Sequence, residues 1–113
     1  MDIWYAWHTN VLYLPNYLYT FTNKNIYMIF YISPTGNDAN NGSQASPWKT
    51  LFKATSTVTN AGDTIFVNIG TYTETQQSDL RVGVNLEGAD RATTIIKSSK
   101  SGDWSCLLNI ESP

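Results

Sequence analysis

Tyr31-Ile32-Ser33-Pro34-Thr35-Gly36-Asn37-Asp38-Ala39-Asn40-Asn41-Gly42-Ser43, then Ser46-Pro47-Trp48-Lys49-Thr50-Leu51, then Gly62-Asp63-Thr64-Ile65-Phe66-Val67-Asn68-Ile69-Gly70-Thr71-Tyr72-Thr73-Glu74, is the stretch that decides the fold. It continues the apolar run Ile26 to Ile32, whose length and composition suit a buried strand. Gly, Asn, Asp, Ser and Pro then cluster over residues 33 to 46, which predicts a long surface loop. Ser46 is placed to cap free amides and Pro47 suits a first helical position. Leu51, Ala54 and Val58 follow at i, i+3 and i+7 and make one apolar stripe of a short helix. Thr55, Thr57 and Thr59 are mediocre helix formers, so packing must hold that helix. Asn60-Ala61-Gly62 is expected to end it on a positive-φ glycine.

Beyond Gly62 the period changes to two. Ile65, Val67 and Ile69 share one face, and Thr64, Phe66 and Asn68 the other. Gly70-Thr71 reads as a turn and residues 73 to 81 as polar loop. Val82, Val84 and Leu86 alternate again, Gly88-Ala89-Asp90 turns the chain, and Thr93 to Lys97 is a short β-branched strand. A loop from Ser98 to Asp103 and a last apolar strand from Ser105 to Ile110 follow.

With 113 residues the chain has room for one domain. Its net charge is −2 and its lysines and arginines are scattered singly, so the basic stripe that nucleic acid requires is missing. Charged residues make up 14% of the chain, and β-branched and aromatic residues dominate, which favours strands. Residues 1 to 26 differ: Trp4, Tyr5, Trp7, Tyr13, Tyr17, Tyr19 and Phe21 crowd a segment charged only at Asp2 and Lys24. This leader lacks the basic start and small-residue cleavage site of a signal peptide. It also lacks the ~20-residue apolar run of a membrane span. An extra aromatic strand or cap, a disordered leader, and sequence upstream of the natural start are the three readings left. His8 stands there without a second His or Cys, and Cys106, the sole cysteine, reads as a small core hydrophobe.

Val67-Asn68-Ile69, Val84-Asn85-Leu86 and Leu108-Asn109-Ile110 echo one another at intervals of roughly 20 residues, in the range of stacked repeats. Short strands between Gly/Asn/Asp turns fit a solenoid whose coils bury their strands by stacking. The quoted stretch resembles the N-terminal opening of right-handed parallel β-helix proteins, the pectate-lyase-like and alginate- or chondroitin-lyase-like families and related secreted bacterial proteins of unknown function, and the similarity covers about residues 29 to 110. That resemblance implies a mostly β fold, the start of a single-stranded solenoid, with the helix capping its open N-terminal end. Residues 1 to 26 would be an aromatic leader, and residues 27 to 113 the cap and first coils of a fragment. Phe66 and Ile69 depart from the family, being more apolar than the small or polar residues expected there.

The chemistry is thinner. Asp38-Ala39-Asn40-Asn41-Gly42 invites a calcium reading, but with Gly42 as the required glycine the ligand positions fall on Asn37, Ala39 and Asn41, and position twelve on Trp48. Side chains bonded to nearby amides account for the loop, with cation binding by Asp38 and Asn40 as the alternative. Asn41-Gly42-Ser43 is a glycosylation sequon. Asp63, Asp79, Asp90, Asp103, Glu74 and Glu87 supply carboxylates, but no facing pair of the glycosidase kind stands out. Arg81 and Arg91 could face a uronate, although a solvated face is the ordinary place for each. Asn68, Asn85 and Asn109 would be a stacked ladder or simple outward positions, and period two favours the second. Trp48 and Trp104 are candidate sugar platforms, with Trp48 better placed against the cap.

No catalytic, cofactor or metal residue is therefore assigned within the chain. The resemblance implies a secreted or cell-surface protein acting on polysaccharide, a lyase for uronate-rich polymers above all, or a glycoside hydrolase. It puts the catalytic residues in missing C-terminal coils beyond this chain and leaves Ca2+ to the full-length protein. The alternative is a non-enzymatic surface β-helix, an adhesin or stalk.

Overall fold

The apolar alternation around Ile65 and Val67 sets the core of the computed structural model, which describes residues 4–6, 11–14, 17–20, 26–99 and 107–112. His8, Asp103, Trp104 and Cys106 lie outside the described residues. Among the described residues the protein is mostly strand with one short helix. In the aromatic leader, β1 (Trp4–Ala6), β2 (Val11–Leu14) and β3 (Tyr17–Thr20) pair antiparallel in chain order.

From β4 (Ile29–Ile32) onward every ladder among the described residues is parallel. After the helix α1 (Leu51–Thr57) come β5 (Thr64–Val67), β6 (Gly70–Glu74) and β7 (Ser78–Leu80). Then β8 (Asn85–Gly88), β9 (Thr94–Ser98) and β10 (Leu108–Ile110) repeat that order. β8 pairs with β5, β9 with β6, and β10 with β7, while β4 lies on the other side of β5. Parallel neighbours cannot be joined by a tight hairpin. The chain meets this demand by passing through the other two sheets before it returns.

Register decides which side chains stack. Phe30, Ile65 and Leu86 are aligned, as are Ile32, Val67 and Gly88. Ile32, Ile65 and Val67 are fully or almost fully buried and join Trp48, Leu51, Ala54, Val58, Tyr72, Leu80 and Val84 in one core. The stripe predicted on the helix is thus the buried one, and α1 packs on β4 and β7. Tyr72 places its hydroxyl inside, donating to the carbonyls of Ile32 at 3.0 Å and Asn68 at 2.8 Å. Burial pushes its pKa up to about 12. Tyr72→Phe removes the donor from two carbonyls while keeping the ring. It is expected to lower unfolding free energy by about 1–2 kcal/mol in urea titration.

The sequence reading needs correcting at several boundaries. Ser46 and Pro47 do not begin the helix; Thr50 is its N-cap and accepts from the Lys53 amide. The reason is Trp48, which forms a parallel bridge with Ile32 and holds residues 46 to 48 out of helical geometry. The helix also stops early, at Thr57, because buried Val58 draws the chain into extended conformation. Gly62 does have positive φ, at 96°, but it serves a later turn, where its N–H donates to the Gly83 carbonyl. Ile69 lies past the end of β5 and is 60% exposed, so it does not share the inward face of Ile65 and Val67.

Two further segments differ from the pattern of their sequence. Gly70 opens a strand rather than a turn, and residues 73 to 81, read as loop, carry the end of β6 and all of β7. Glu74, Ser78 and Leu80 are buried there, because pairing with β9 and β10 and contact with α1 outweigh polar composition. Val82 sits in a turn and is exposed, so the strand around Val84 and Leu86 starts only at Asn85. The asparagines do not stack: Asn85 aligns with Thr64, and Asn109 with Asp79 in another sheet. The triplet echo therefore marks polar positions between aliphatics rather than one register.

Candidate functional site

The polar residues of the quoted loop converge on one end of the strand stack. A free strand edge is a row of unpaired amides and carbonyls, and β4 has such an edge opposite β5. Residues 42 to 48 occupy it. The Tyr31 N–H donates to the Gly42 carbonyl at 2.8 Å, the Trp48 N–H to the Tyr31 carbonyl at 3.0 Å, and the Ser33 N–H to the Trp48 carbonyl at 2.8 Å. Trp48 is buried, stacks on Phe30 with ring centres 5.5 Å apart, and donates Nε1–H to the Asn40 carbonyl at 2.7 Å. It is part of the core and offers no ring face to a sugar.

Asp38 fastens this loop to the helix. Its Oδ1 accepts from the amides of Lys49 and Thr50, both at 2.9 Å, and its Oδ2 from the Thr50 hydroxyl at 2.7 Å. Burial raises its pKa, but the bonds from Thr50 and Lys49 and the charge of Lys53 together outweigh that and hold it below the ordinary value. Asn40 donates Nδ2–H to the Pro47 carbonyl at 3.0 Å. Asn37 and Asn41 accept from the amides of Ala39 and Ser43, the local turn chemistry that the composition indicates. The loop's donors and acceptors therefore fold it onto itself and onto the helix start.

Glu74 approaches the same helix start from β6. It is 3% exposed and its Oε1 accepts from the Leu51 N–H. Burial, and to a smaller degree the charge of Asp38, raises its pKa; the amides of Leu51 and Phe52 pull the other way without matching them. The sign follows. A carboxylate whose folded pKa lies above its unfolded one disfavours folding at neutral pH, and that cost disappears as pH falls through the folded pKa toward 4.5. Glu74→Gln keeps an acceptor for Leu51 without the charge. It is expected to raise the denaturation midpoint at pH 7, with the gain fading at acid pH. Glu74→Ala leaves that buried N–H unpaired and should cost about 1–3 kcal/mol at either pH.

The loop, the helix start and β5 form one continuous pattern, and it is this pattern that a family model recognises over residues 34–102 of the 113. The chain belongs to the DUF1565 family. This is described as a protein family of unknown function, commonly associated with right-handed β-helix proteins. No curated protein and no solved structure matches the chain.

The DUF1565 match takes in Asp63, Asp79, Arg81, Glu87, Asp90 and Arg91. Asp63 is buried and accepts from the Met28 N–H at 2.9 Å, tying the entry of β4 to the turn before β5. Asp90 holds its own turn, with Oδ2 accepting from the amides of Ala92 and Thr93 and the Thr93 hydroxyl. Those bonds keep its pKa low. Asp79 accepts from Gln77, and Glu87 is exposed on β8. Arg81 is exposed and pairs with Glu111 at 3.1 Å across the end of the β7–β10 ladder. Arg91 is exposed at the rim of a cleft of about 460 Å³. Val67, Leu86 and Ile96 line its floor, with Gly88, Asp90 and Thr94 around them.

This cleft opens between β8 and β9, at the opposite side of the ladders from the closed edge of β4. The structure thus brings Asp38 and Glu74 together at the helix start. It leaves Asp63, Asp79, Asp90 and Glu87 apart in separate turns and strands. Sequence reasoning missed Glu74 as a helix anchor, since its neighbours Thr73 and Thr75 read as loop. A period-two pattern through Tyr72, Glu74, Ser78 and Leu80 was broken by Thr75, Gln76 and Gln77 and gave no usable signal. No helix among the described residues is long and apolar enough to cross a membrane.

Proposed function

We propose that this chain is the closed N-terminal end and first coils of a right-handed parallel β-helix, the structural start of a secreted carbohydrate-active protein. Its helix and loop cover one end of the coil stack, and the working surface belongs to coils that follow. Among the activities such a protein could carry, eliminative cleavage of a uronate-rich polysaccharide ranks first, with catalytic residues beyond this chain. One observation carries the reading. The outer edge of β4 is taken up by residues 42 to 48, while β8, β9 and β10 repeat the order of β5, β6 and β7 in parallel. A solenoid needs a terminal element of this kind, because each coil otherwise offers its edge to any passing strand.

The bonds of Asp38, Asp63, Glu74 and Asp90 to backbone amides favour a second reading, a non-enzymatic surface stalk or adhesin. Carboxylates engaged in this way serve the fold and are poor candidates for holding a cation or moving a proton. The two readings part in one experiment. A polypeptide extended past residue 113 and the chain itself are incubated with acidic polysaccharides, following the ultraviolet absorbance of unsaturated uronate. Activity in the longer protein alone supports the lyase reading. Retention of glycan without cleavage favours the adhesin, and cleavage by residues 1–113 alone would overturn the placement of the catalytic set.

A further inference from the structure

The one sequence motif that neither the fold nor the proposed function absorbs is Asn41-Gly42-Ser43, the chain's only Asn-X-Ser/Thr triplet with X other than Pro. Its three residues are divided cleanly by the fold. Gly42 is buried: its N–H donates to the Ser46 carbonyl, its carbonyl accepts from Tyr31, and a side chain there would meet the Trp48 ring at 2.7 Å. Asn41 and Ser43 are both exposed. The Asn41 Oδ1 accepts from the Ser43 N–H at 3.0 Å, and its Nδ2 makes no hydrogen bond among the described residues.

We propose that Asn41 is an acceptor for N-linked glycosylation, modified by an oligosaccharide carried on a polyprenyl diphosphate. The inference rests on the extracellular reading above, since the donor meets only exported chains. In the transfer Nδ2 forms a bond to the anomeric carbon, the bond from that carbon to the diphosphate oxygen breaks, and the diphosphate leaves with the electron pair. Nδ2 gives up one proton. Of the triplet's side-chain polar atoms, the amide nitrogen that reacts is the one without a hydrogen bond among the described residues, since Asn41 Oδ1 and Ser43 Oγ both accept. The loop draws on Gly42, on Asn41 Oδ1, and on Ser43, whose carbonyl and Oγ accept from the Ser46 N–H at 3.1 and 3.2 Å; the linkage at Nδ2 keeps all of these groups. The glycan therefore stands outside the loop that seals the β4 edge and leaves the Phe30–Trp48 stack untouched.

The test is translation of the full chain behind an added export signal in the presence of eukaryotic microsomes, reading the protease-protected fraction by mass spectrometry. One glycan is expected, on the peptide holding Asn41. A peptide N-glycosidase should remove it and leave aspartate at 41. Asn41→Gln and Ser43→Ala should abolish it, and Ser43→Thr should retain it. A protected chain without glycan, or a glycan that survives Asn41→Gln, overturns the proposal. Because the signal is supplied, failure of the extracellular reading is scored separately, by export of the protein from its natural reading frame.

Discussion

Trp48→Ala is expected to lower the unfolding free energy by about 3–5 kcal/mol, enough to unfold much of a marginal domain. Trp48 is 2% exposed, so the substitution opens a cavity that the surrounding backbone can close only in part. It also removes the stacked contact with Phe30, which ties the loop to β4, and the Nε1 bond to the Asn40 carbonyl, which holds the loop on itself. Trp48→Phe preserves some of the stack and should cost about half as much, since ring contacts of this kind contribute roughly 0.5–1.5 kcal/mol beyond area burial. Far-UV circular dichroism during urea titration is the suitable measurement, because the substitution removes a fluorophore.

A double-mutant cycle sharpens this result. Gly42 has φ of 80° and would place a Cβ against the Trp48 ring. Gly42→Ala in the native background meets both the unfavourable backbone conformation and the ring. In the Trp48→Ala background only the backbone cost remains. The two substitutions should therefore be non-additive, the pair costing less than the sum of the singles. Simple additivity would show that Gly42 is held for its backbone alone.

Asp38→Ala comes next in size, with an expected loss of about 2–3 kcal/mol at neutral pH. Three donors lose their acceptor at once: the amides of Lys49 and Thr50 and the Thr50 hydroxyl. The side chain is only half-buried, so water replaces part of what is lost. Asp38→Asn keeps one acceptor oxygen and should fall between wild type and alanine. The pH dependence has a fixed sign. The folded pKa of Asp38 is below the unfolded value of 3.8, so its contribution is present above that value and is lost as pH falls through the folded pKa. Wild type and Asp38→Asn should thus differ by a constant amount at neutral and mildly acid pH and converge in strong acid. Glu74 behaves oppositely. Its carboxylate disfavours folding at neutral pH and ceases to do so on acidification. Stability curves of Asp38→Asn and Glu74→Gln against pH should therefore run to opposite sides of wild type. Parallel curves would sink the assignment of the two carboxylates to one helix start.

Local patterns were legible wherever a segment is governed by its own residues. Ile29–Ile32 and Thr64–Val67 are strands because short aliphatic and aromatic runs lie between turn-formers. Leu51, Ala54 and Val58 are the buried side of a helix because their spacing puts them there. Asn37 and Asn41 close tight turns because a short amide reaches the N–H two residues on. The mostly β character, too, follows from β-branched and aromatic composition.

Contacts distant in sequence decided the rest. Asp38 reaches Lys49 and Thr50, Glu74 reaches Leu51, and Asp63 reaches Met28. Each carboxylate serves amides that no local pattern could assign to it. The true helix start is fixed by the bridge between Trp48 and Ile32, which overrides a favourable Ser46-Pro47 signal. β7 exists because β10 and α1 supply partners for a polar stretch without strand propensity. The loop of residues 31 to 50 follows the same division. Its sequence determined that it turns, that it is polar and that a helix comes after it. Only the tertiary structure decided that it lies along the outer edge of β4, because hydrogen bonds across a sheet edge are made by backbone groups, and these are the same in every residue but proline.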